Sequence, residues 1–599
     1  MSAVATSGPG PGPGADTGPG DGTASPVVGT PPPPLARLRR HAVLLALVLG
    51  VLAAWSAVGG QAITDEGSVL AQADLLSRGT WSRPAAIPDA DPAGRFPAME
   101  TANVADGREY PYVKHVTYPA LLAALSVPFG GAAAAVCSAA GVWLAAVGAA
   151  LLTRRAGRGP TRVDPAVVTL WATALLTPLV FDAGVAMAVG PAAGLVAMVA
   201  LGLVAAGDAG AARGRRGAAA LLAAVAAAAA VLLRSEALLA VGALGAVAAL
   251  VAFAGARPRA GWRGVPAAAG VVAAGALAYL VDGRLTAHVL GSSGLSVFTT
   301  SDRGADPLAA RAAAVWSSVL RPGFEDHGIR PVLLVVAAAA VLAAAWMLRR
   351  DGERRAVAAL AVAGAVAATL AVWSAPGLVT GLVPAAPVLV AGLLLVRRAD
   401  LAHRSVGLPL AGAAVAAVAV LALSYPDGGG AEWGGRYLHV LVPLAVPAAV
   451  LGWARLRGGR AATVTAVALV VAAGVLSFGA LATLAGLRDR VDAFLVSVTP
   501  VLRDEPADPS GAGPIVVTDR TGLGRFAWRE LDDLRLVTVP VGAREDLRAV
   551  AGRLDASGVR RWSLVQAAGE PLPWGSGAPW TVTSRTPLGA WEVVSVARR

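Results

Sequence analysis

The sequence predicts an α-helical polytopic membrane protein of about thirteen transmembrane helices, followed by a small C-terminal α/β domain. Three observations carry that expectation. Of the 599 residues, 56% are hydrophobic and only 15% are charged, whereas soluble proteins carry about 25% charged residues. The apolar runs, rich in Ala, Val, Leu and Gly, repeatedly reach the ~20 residues needed to cross ~30 Å of hydrocarbon. The arginines fall in the short connections between those runs. The net charge of +12 is therefore dispersed instead of gathered in one patch, which argues for a lipid bilayer and against nucleic acid as the partner.

Residues 1–36 are rich in Pro and Gly and close with the run Pro31 to Pro34. Such a segment cannot supply a packed core, and it is too long and too polar for the start of a signal peptide. It reads as a disordered cytoplasmic tail. The transmembrane region is 37–487, with spans beginning near 41, 131, 165, 184, 217, 237, 264, 331, 356, 378, 405, 438 and 461. Basic connections such as Arg37/Arg39/Arg40, Arg213/Arg215/Arg216 and Arg349/Arg350/Arg354/Arg355 occur on every second connection. Placing all of them in the cytoplasm puts the N-terminus inside and the C-terminus outside. Two long loops, 61–130 and 282–330, then lie outside. The turns Phe181-Asp182-Ala183 and Arg234-Ser235-Glu236 and the connection 425–436 share that side. The single cysteine, Cys137, lies in an apolar run and permits no intrachain disulfide.

Residues 488–599 change character. Strand-like runs occur at 514–518, 534–539, 562–565 and 591–596, with a helical segment at 544–557 between the second and third. This alternation predicts a small extracytoplasmic α/β domain. It carries no phosphate loop or metal-ligand spacing.

The residues able to carry chemistry concentrate on the expected outer face. Asp65 and Glu66 stand side by side just after the first span. Taken alone they read equally as a solvated helix end or as a site. Residues 67–78 can form an amphipathic surface helix with Val69, Leu70, Ala73 and Leu76 on one side. The segment 110–119 holds three of the six tyrosines, one of six histidines and the only lysine. Interfacial tyrosines are ordinary belt residues. Lys114 and His115 instead form a donor pair suited to a phosphate. Arg234 has two readings, a phosphate ligand or an ion pair with Glu236. His288 and His327 read as solvated loop residues.

Three features, taken together, resemble one family. Asp65-Glu66 follows the first span, the first outer loop is amphipathic, and Lys114-His115 with Tyr118-Pro119 opens the next span. A further patch, Glu432-Trp433-Gly434-Gly435-Arg436-Tyr437-Leu438 followed by Pro443, is similar to the Gly-x-Arg-Tyr entry of a late span. These features resemble the GT-C-fold integral membrane glycosyltransferases that use polyprenyl-phosphate sugars, including actinobacterial mannosyl- and arabinofuranosyltransferases with an outer C-terminal domain. The resemblance spans about residues 41–485. It implies an inverting transfer to an extracytoplasmic cell-wall glycan, glycolipid or protein. Asp65 would be the general base, and Glu66 would orient the acceptor or a metal. Lys114, His115, Arg234, Arg436 and Tyr437 would lie at the donor phosphate, with Asp182 or Glu236 as a second acid. The Asp182 region is poorer in polar and aromatic residues than the family pattern. A divalent metal is compatible with the resemblance, but no ligand cluster demands one. The competing class is a multi-span transporter or flippase of lipid-linked or polar cargo, which would place ionisable residues or broken helices near the midplane. A third reading is a non-catalytic assembly or sensor protein, in which the acid pair would be dispensable.

Overall fold

The computed structural model describes residues 35–599 except 59, 101, 113, 158–163, 255–263, 291–306, 324–327, 375–376, 424–432, 457–458, 506–512, 521, 541 and 576–577. Residues 1–34 of the expected tail, His327 and Glu432 therefore lie outside the described residues. The chain begins with α1 (Leu35–Val58) and α2 (Thr64–Ser77). A small antiparallel sheet follows, ordered β1-β3-β2, from β1 (Arg83–Pro84), β2 (Asn103–Ala105) and β3 (Arg108–Tyr110). Next come α3 (Thr117–Phe129), α4 (Ala133–Arg155), α5 (Pro165–Leu175), the one-turn α6 (Leu179–Asp182), α7 (Val189–Ala206), α8 (Arg213–Leu233), α9 (Ala237–Ala254) and α10 (Val265–Leu290). The second half contains α11 (Pro307–Val315), α12 (Ile329–Arg349), α13 (Arg354–Ser374), α14 (Leu382–Ala385), α15 (Pro387–Leu394), α16 (Arg398–Leu401) and α17 (Arg404–Leu423). A 3-10 segment, Arg436–Leu441, then leads into α18 (Val442–Trp453) and the 44-residue α19 (Arg460–Arg503).

Among the described residues eleven helical segments are long and apolar enough to cross a membrane. The two expected spans without such a helix are those near 165 and 378. Helix α5 has only eleven residues before the chain turns at Pro178. The segment after 378 is broken into α14 and α15 at Ala386-Pro387, because Pro387 has no N–H with which to continue the helix. Both stretches are apolar, so hydropathy counts them, but hydropathy does not measure helical continuity. The outward surface of the helices is apolar: Leu47 is 63% exposed and Trp373 88%. Side chains of this kind presented all around a bundle face lipid, as in a multi-pass membrane protein. The interior is made of small residues. Ala145, Ala146 and Ala149 of α4 and Ala192, Ala193 and Ala197 of α7 are fully buried, which lets these helices approach closely where van der Waals packing replaces hydrophobic drive.

The C-terminal region contains β4 (Ile515–Thr518), α20 (Leu523–Phe526), β5 (Arg535–Thr538), α21 (Arg544–Ala556), β6 (Arg561–Ala567), β7 (Trp580–Leu588) and β8 (Trp591–Arg598). Its sheet is ordered β5-β4-β6-β8-β7, with β4 parallel to both β5 and β6 and the remaining pairs antiparallel. β7 was not among the expected strands. It is an edge strand whose residues after Trp580 are mostly exposed, so it shows no apolar alternation to read. One face of the sheet buries Leu547, Val550 and Leu554 of α21 against Trp562, Leu564 and Val594. The other face joins Val516, Val565 and Val593 to Ala71 of α2, Ala98 and Met99 of the first loop, and Val498 and Leu502 of α19. Helix α19 thus runs past residue 487 and carries the sheet with it. Helix α2, expected on the surface, is covered on both sides: Val69 and Ala73 pack with Tyr112, Tyr118 and Leu122, while Ala71 packs with the C-terminal sheet.

Candidate active site

The site is built at the first turn of α2. Glu66 stands at the third helical position, and its Oε2 accepts from the backbone N–H groups of Ala62 (2.7 Å) and Ile63 (3.0 Å). This is the carboxylate half of a capping box. Its Oε1 accepts from the N–H of Ala186 at 2.6 Å. Burial pushes the Glu66 carboxyl up from its ordinary value, against the pull of these donors and of Arg488. With both oxygens committed to backbone, Glu66 does not orient an acceptor or a metal as the sequence suggested; it pins the start of α2 to the 183–188 turn.

That pinning presents Asp65. Its Oδ2 accepts from Arg436 Nη1 at 3.0 Å and from Lys114 Nζ at 3.4 Å, and its Oδ1 accepts from Arg525 Nη1 at 2.9 Å. The Asp65 side chain is 19% exposed and Lys114 36%, while the two arginines are nearly buried. Burial pushes the Asp65 carboxyl up, but Arg436, Lys114 and Arg525 together outweigh it and hold the group well below the usual carboxylate range. Burial drives Lys114 down, with Asp65 opposing that shift and Arg436 and Arg234 reinforcing it. Tyr112 is pushed above its ordinary value, chiefly by burial, and senses Arg234, Asp65, Arg436 and Glu236.

Local backbone explains how Arg436 arrives. Gly434 and Gly435 both adopt φ of +77°, a left-handed conformation open to glycine at no steric cost. A Cβ at residue 435 would lie 2.3 Å from the Ser318 carbonyl oxygen. The double-glycine turn therefore lets the 3-10 segment start against the bundle and aims its first residue at Asp65.

Arg525 was not singled out in the sequence. It lies on α20, 460 residues from its partner, inside a domain with no motif of its own. Its Nη2 donates to Glu100 Oε1 at 2.9 Å, and the same oxygen accepts from the Gly522 N–H at 2.6 Å. Helix α20 lies flush on α2: a Cβ at residue 67 would sit 1.8 Å from the Arg525 carbonyl oxygen.

The remaining expected residues divide. Arg234 and Glu236 form a buried bidentate pair, at 3.2 and 2.7 Å. Burial pushes the Glu236 carboxyl up, but Arg234 overcomes this and brings it down to about 2, so it does not supply a proton near neutrality. Arg234 still repels Arg436 and belongs to the same positive field. His115 departs from the phosphate role. Its Nε2 accepts from the Ser235 N–H at 3.3 Å, which leaves the proton on Nδ1 to be donated to Asp282 Oδ2 at 2.8 Å. It ties the 234–236 turn to α10. Asp282 accordingly lies within a helix, not in a loop, and so does the exposed His288. Asp182 does not join Asp65: its Oδ2 meets His439 Nδ1 at 2.7 Å, and both side chains are buried. The Phe181-Asp182-Ala183 turn is likewise buried. Tyr437 is packed into the apolar cluster shared by α7, α8, α9 and α17.

Four cations (Lys114, Arg234, Arg436, Arg525) are thus linked to three carboxylates (Asp65, Glu100, Glu236). The excess is positive, and the donors suit an anion with several oxygens. Among the described residues no group of three or more His, Cys, Asp or Glu side chains could hold a metal ion, and the cations packed on Asp65 do not fit a divalent cation in this arrangement.

Replacing Gly67 with Val forces α2 and α20 apart. The expected result is faster limited proteolysis of the C-terminal domain with the transmembrane region intact; an unchanged cleavage pattern counts against the tight docking.

No protein-family model and no curated protein sequence matches the chain. Solved structures do. ArnT from Cupriavidus metallidurans, bound to undecaprenyl phosphate and in its apo state, superposes with a TM-score of 0.50 at 13% identity, over 92% of this chain and 97% of that one. The Archaeoglobus fulgidus oligosaccharyltransferase AglB, in complex with an inhibitory peptide and a dolichol-phosphate, matches 87% of this chain and 69% of its own, with a TM-score of 0.40 and 12% identity. The chain has the GT-C fold of membrane glycosyltransferases.

Proposed function

We propose that the protein is a membrane glycosyltransferase that moves a sugar from a polyprenyl-phosphate donor to an acceptor on the outer face of the plasma membrane, with inversion at the anomeric carbon. The observation that carries this reading is the Asp65 carboxylate held by Lys114, Arg436 and Arg525. Likeness to a fold seen with undecaprenyl phosphate supports the donor class. The spacing of arginines in alternate connections supports the orientation.

In this mechanism the donor phosphate replaces Asp65 as the partner of Arg436 and Lys114. Oδ2 of Asp65 is thereby released, while Oδ1 stays on Arg525. The acceptor hydroxyl attacks the anomeric carbon and its proton passes to Oδ2. The bond from that carbon to the phosphate oxygen breaks, and its electron pair leaves with the polyprenyl phosphate. Arg436, Lys114 and Arg234 stabilise the charge on the departing group. Asp65 begins as a poor proton acceptor because its cations hold it down; their neutralisation by the donor raises its proton affinity at the moment the acceptor needs a base. The sugar is a hexose or pentose, with mannosyl and arabinofuranosyl donors as the first to assay. The acceptor is a cell-wall glycan, a glycolipid or a protein.

Asp65→Asn should lower transfer from a polyprenyl-phosphate sugar by about 10²–10⁴-fold with normal membrane insertion; wild-type turnover would remove Asp65 as the base. For Arg436→Ala, loss of a charged hydrogen bond worth about 1.5–3 kcal/mol predicts roughly ten- to hundredfold weaker donor binding, and unchanged donor affinity would exclude its phosphate role. A reporter fused after Arg599 should be active only outside the cytoplasm; activity inside would reverse the orientation.

A further inference from the structure

A cavity of about 240 Å³ is lined by Glu66 and Leu70 of α2 but not by Asp65. Glu66 and Leu70 form one wall, Ser56 closes the end of α1, and Arg488 and Asp492 face it from α19. Arg529 covers it from the C-terminal domain. The floor is small, with Gly131 and Gly184 among its residues.

The polar groups lining it are incompletely satisfied. Arg488 is 3% exposed. Its Nη2 donates to the Gly184 carbonyl oxygen, but Nε and Nη1 have no hydrogen-bond partner. Gln61 Oε1 and Ser56 Oγ, also in this wall, are buried and unpartnered as well. Two of the carboxylates are already committed. Glu66 is taken by three backbone N–H groups, and Glu530 accepts from Arg503 Nε at 2.9 Å. Asp492 makes no ion pair among the described residues. It stands one helical turn beyond Arg488, on the same face of α19. Glu66 and Asp492 offset the Arg488 charge, but its Nε and Nη1 still lack acceptors, and a buried donor left without one is costly.

Position selects the kind of ligand. Ser56 ends the apolar span Leu35–Ser56, and Trp55 beside it stacks under Arg488 with the guanidinium 5.6 Å from the ring centre. A partly exposed tryptophan at the end of a span marks the bilayer boundary. Val51 and Leu47 of α1, one and two turns below, are exposed to lipid. The cavity is smaller than the ~300–1,000 Å³ of sites that take whole drug-sized ligands, which suits a headgroup whose tails remain in the membrane.

We propose that this cavity is a binding site for a phospholipid headgroup carrying a phosphate and an amine, with the phosphate on Arg488 and the ammonium on Asp492. The first turn of α2 is then a wall shared by two sites, with Asp65 facing one and Glu66 the other. The site stands independently of the transfer reaction.

The test is native mass spectrometry of the full-length, delipidated protein titrated with dioleoylphosphatidylethanolamine. Arg488→Gln should weaken retention at least tenfold. Gly131→Leu should do the same: Gly131 lines the cavity and a Cβ there meets nothing within 4 Å, so this variant narrows the cavity without a clash while leaving Arg488 in place, and it decides the matter should the arginine variant misfold. Arg490→Gln, at an exposed position on the same helix, should retain lipid as the wild type does. Wild-type retention by the folded Gly131→Leu protein would overturn the proposal. So would equal retention of dioleoylglycerol, which lacks a headgroup. Thermal protection by inorganic phosphate equal to that by the lipid would make the site one for a free anion and overturn the lipid assignment.

Discussion

The ion pairs of Asp65 join three distant parts of the chain at one carboxylate. Arg436 comes from a glycine turn late in the bundle, Lys114 from the first loop, and Arg525 from the C-terminal sheet domain. Three cations crowded together repel one another, and without the carboxylate each would favour water. Asp65 therefore holds the place of an anion, besides the role of base proposed for it. Under the proposed mechanism the arrangement is a phosphate site occupied by the protein's own carboxylate. Exchange with an external phosphate changes partners without creating an unpaired buried charge, which avoids the usual penalty for removing one member of such a pair.

Much of this was legible in the sequence, for a physical reason. A lone lysine, an acid pair at a span end and an arginine after two glycines all interrupt long apolar runs, and polar residues are costly in that setting unless they are used. The C-terminal domain gives no such contrast. Arg525 is one of many arginines in a polar segment, and its reach to Asp65 depends on how a whole sheet docks on α2. Partner choice was equally hidden. His115 and Asp282, or Asp182 and His439, are far apart in sequence and meet only through helix packing. The long apolar helices are fewer than the expected spans where length and continuity part company, at the short α5 and at the Pro387 break.

Asp65 and Glu66 show why adjacency is a poor guide to shared chemistry. Successive residues on a helix are about 100° apart, so neighbours at the first turn of a covered helix face different surroundings. Asp65 meets side-chain cations and remains ionised. Glu66 meets backbone N–H groups in a fully enclosed position, and its carboxyl is pushed up. The same functional group becomes a reactive candidate in one direction and a structural cap in the other.

The C-terminal domain follows from the same geometry. Its sheet packs against the end of α19 through Val498 and Leu502 and shares its apolar face with the first loop through Ala98 and Met99. Thr538 reinforces that seam, its N–H donating to the Pro97 carbonyl and its hydroxyl to that of Ala98. Because Arg525 grips one oxygen of Asp65 while Arg436 and Lys114 grip the other, the domain can keep the carboxylate oriented in the proposed transfer, where the partners of the other oxygen are exchanged. An orienting contact is most useful when it does not itself take part in the exchange, and Arg525, whose other partner is Glu100 and which does not touch the oxygen shared by Arg436 and Lys114, meets that condition.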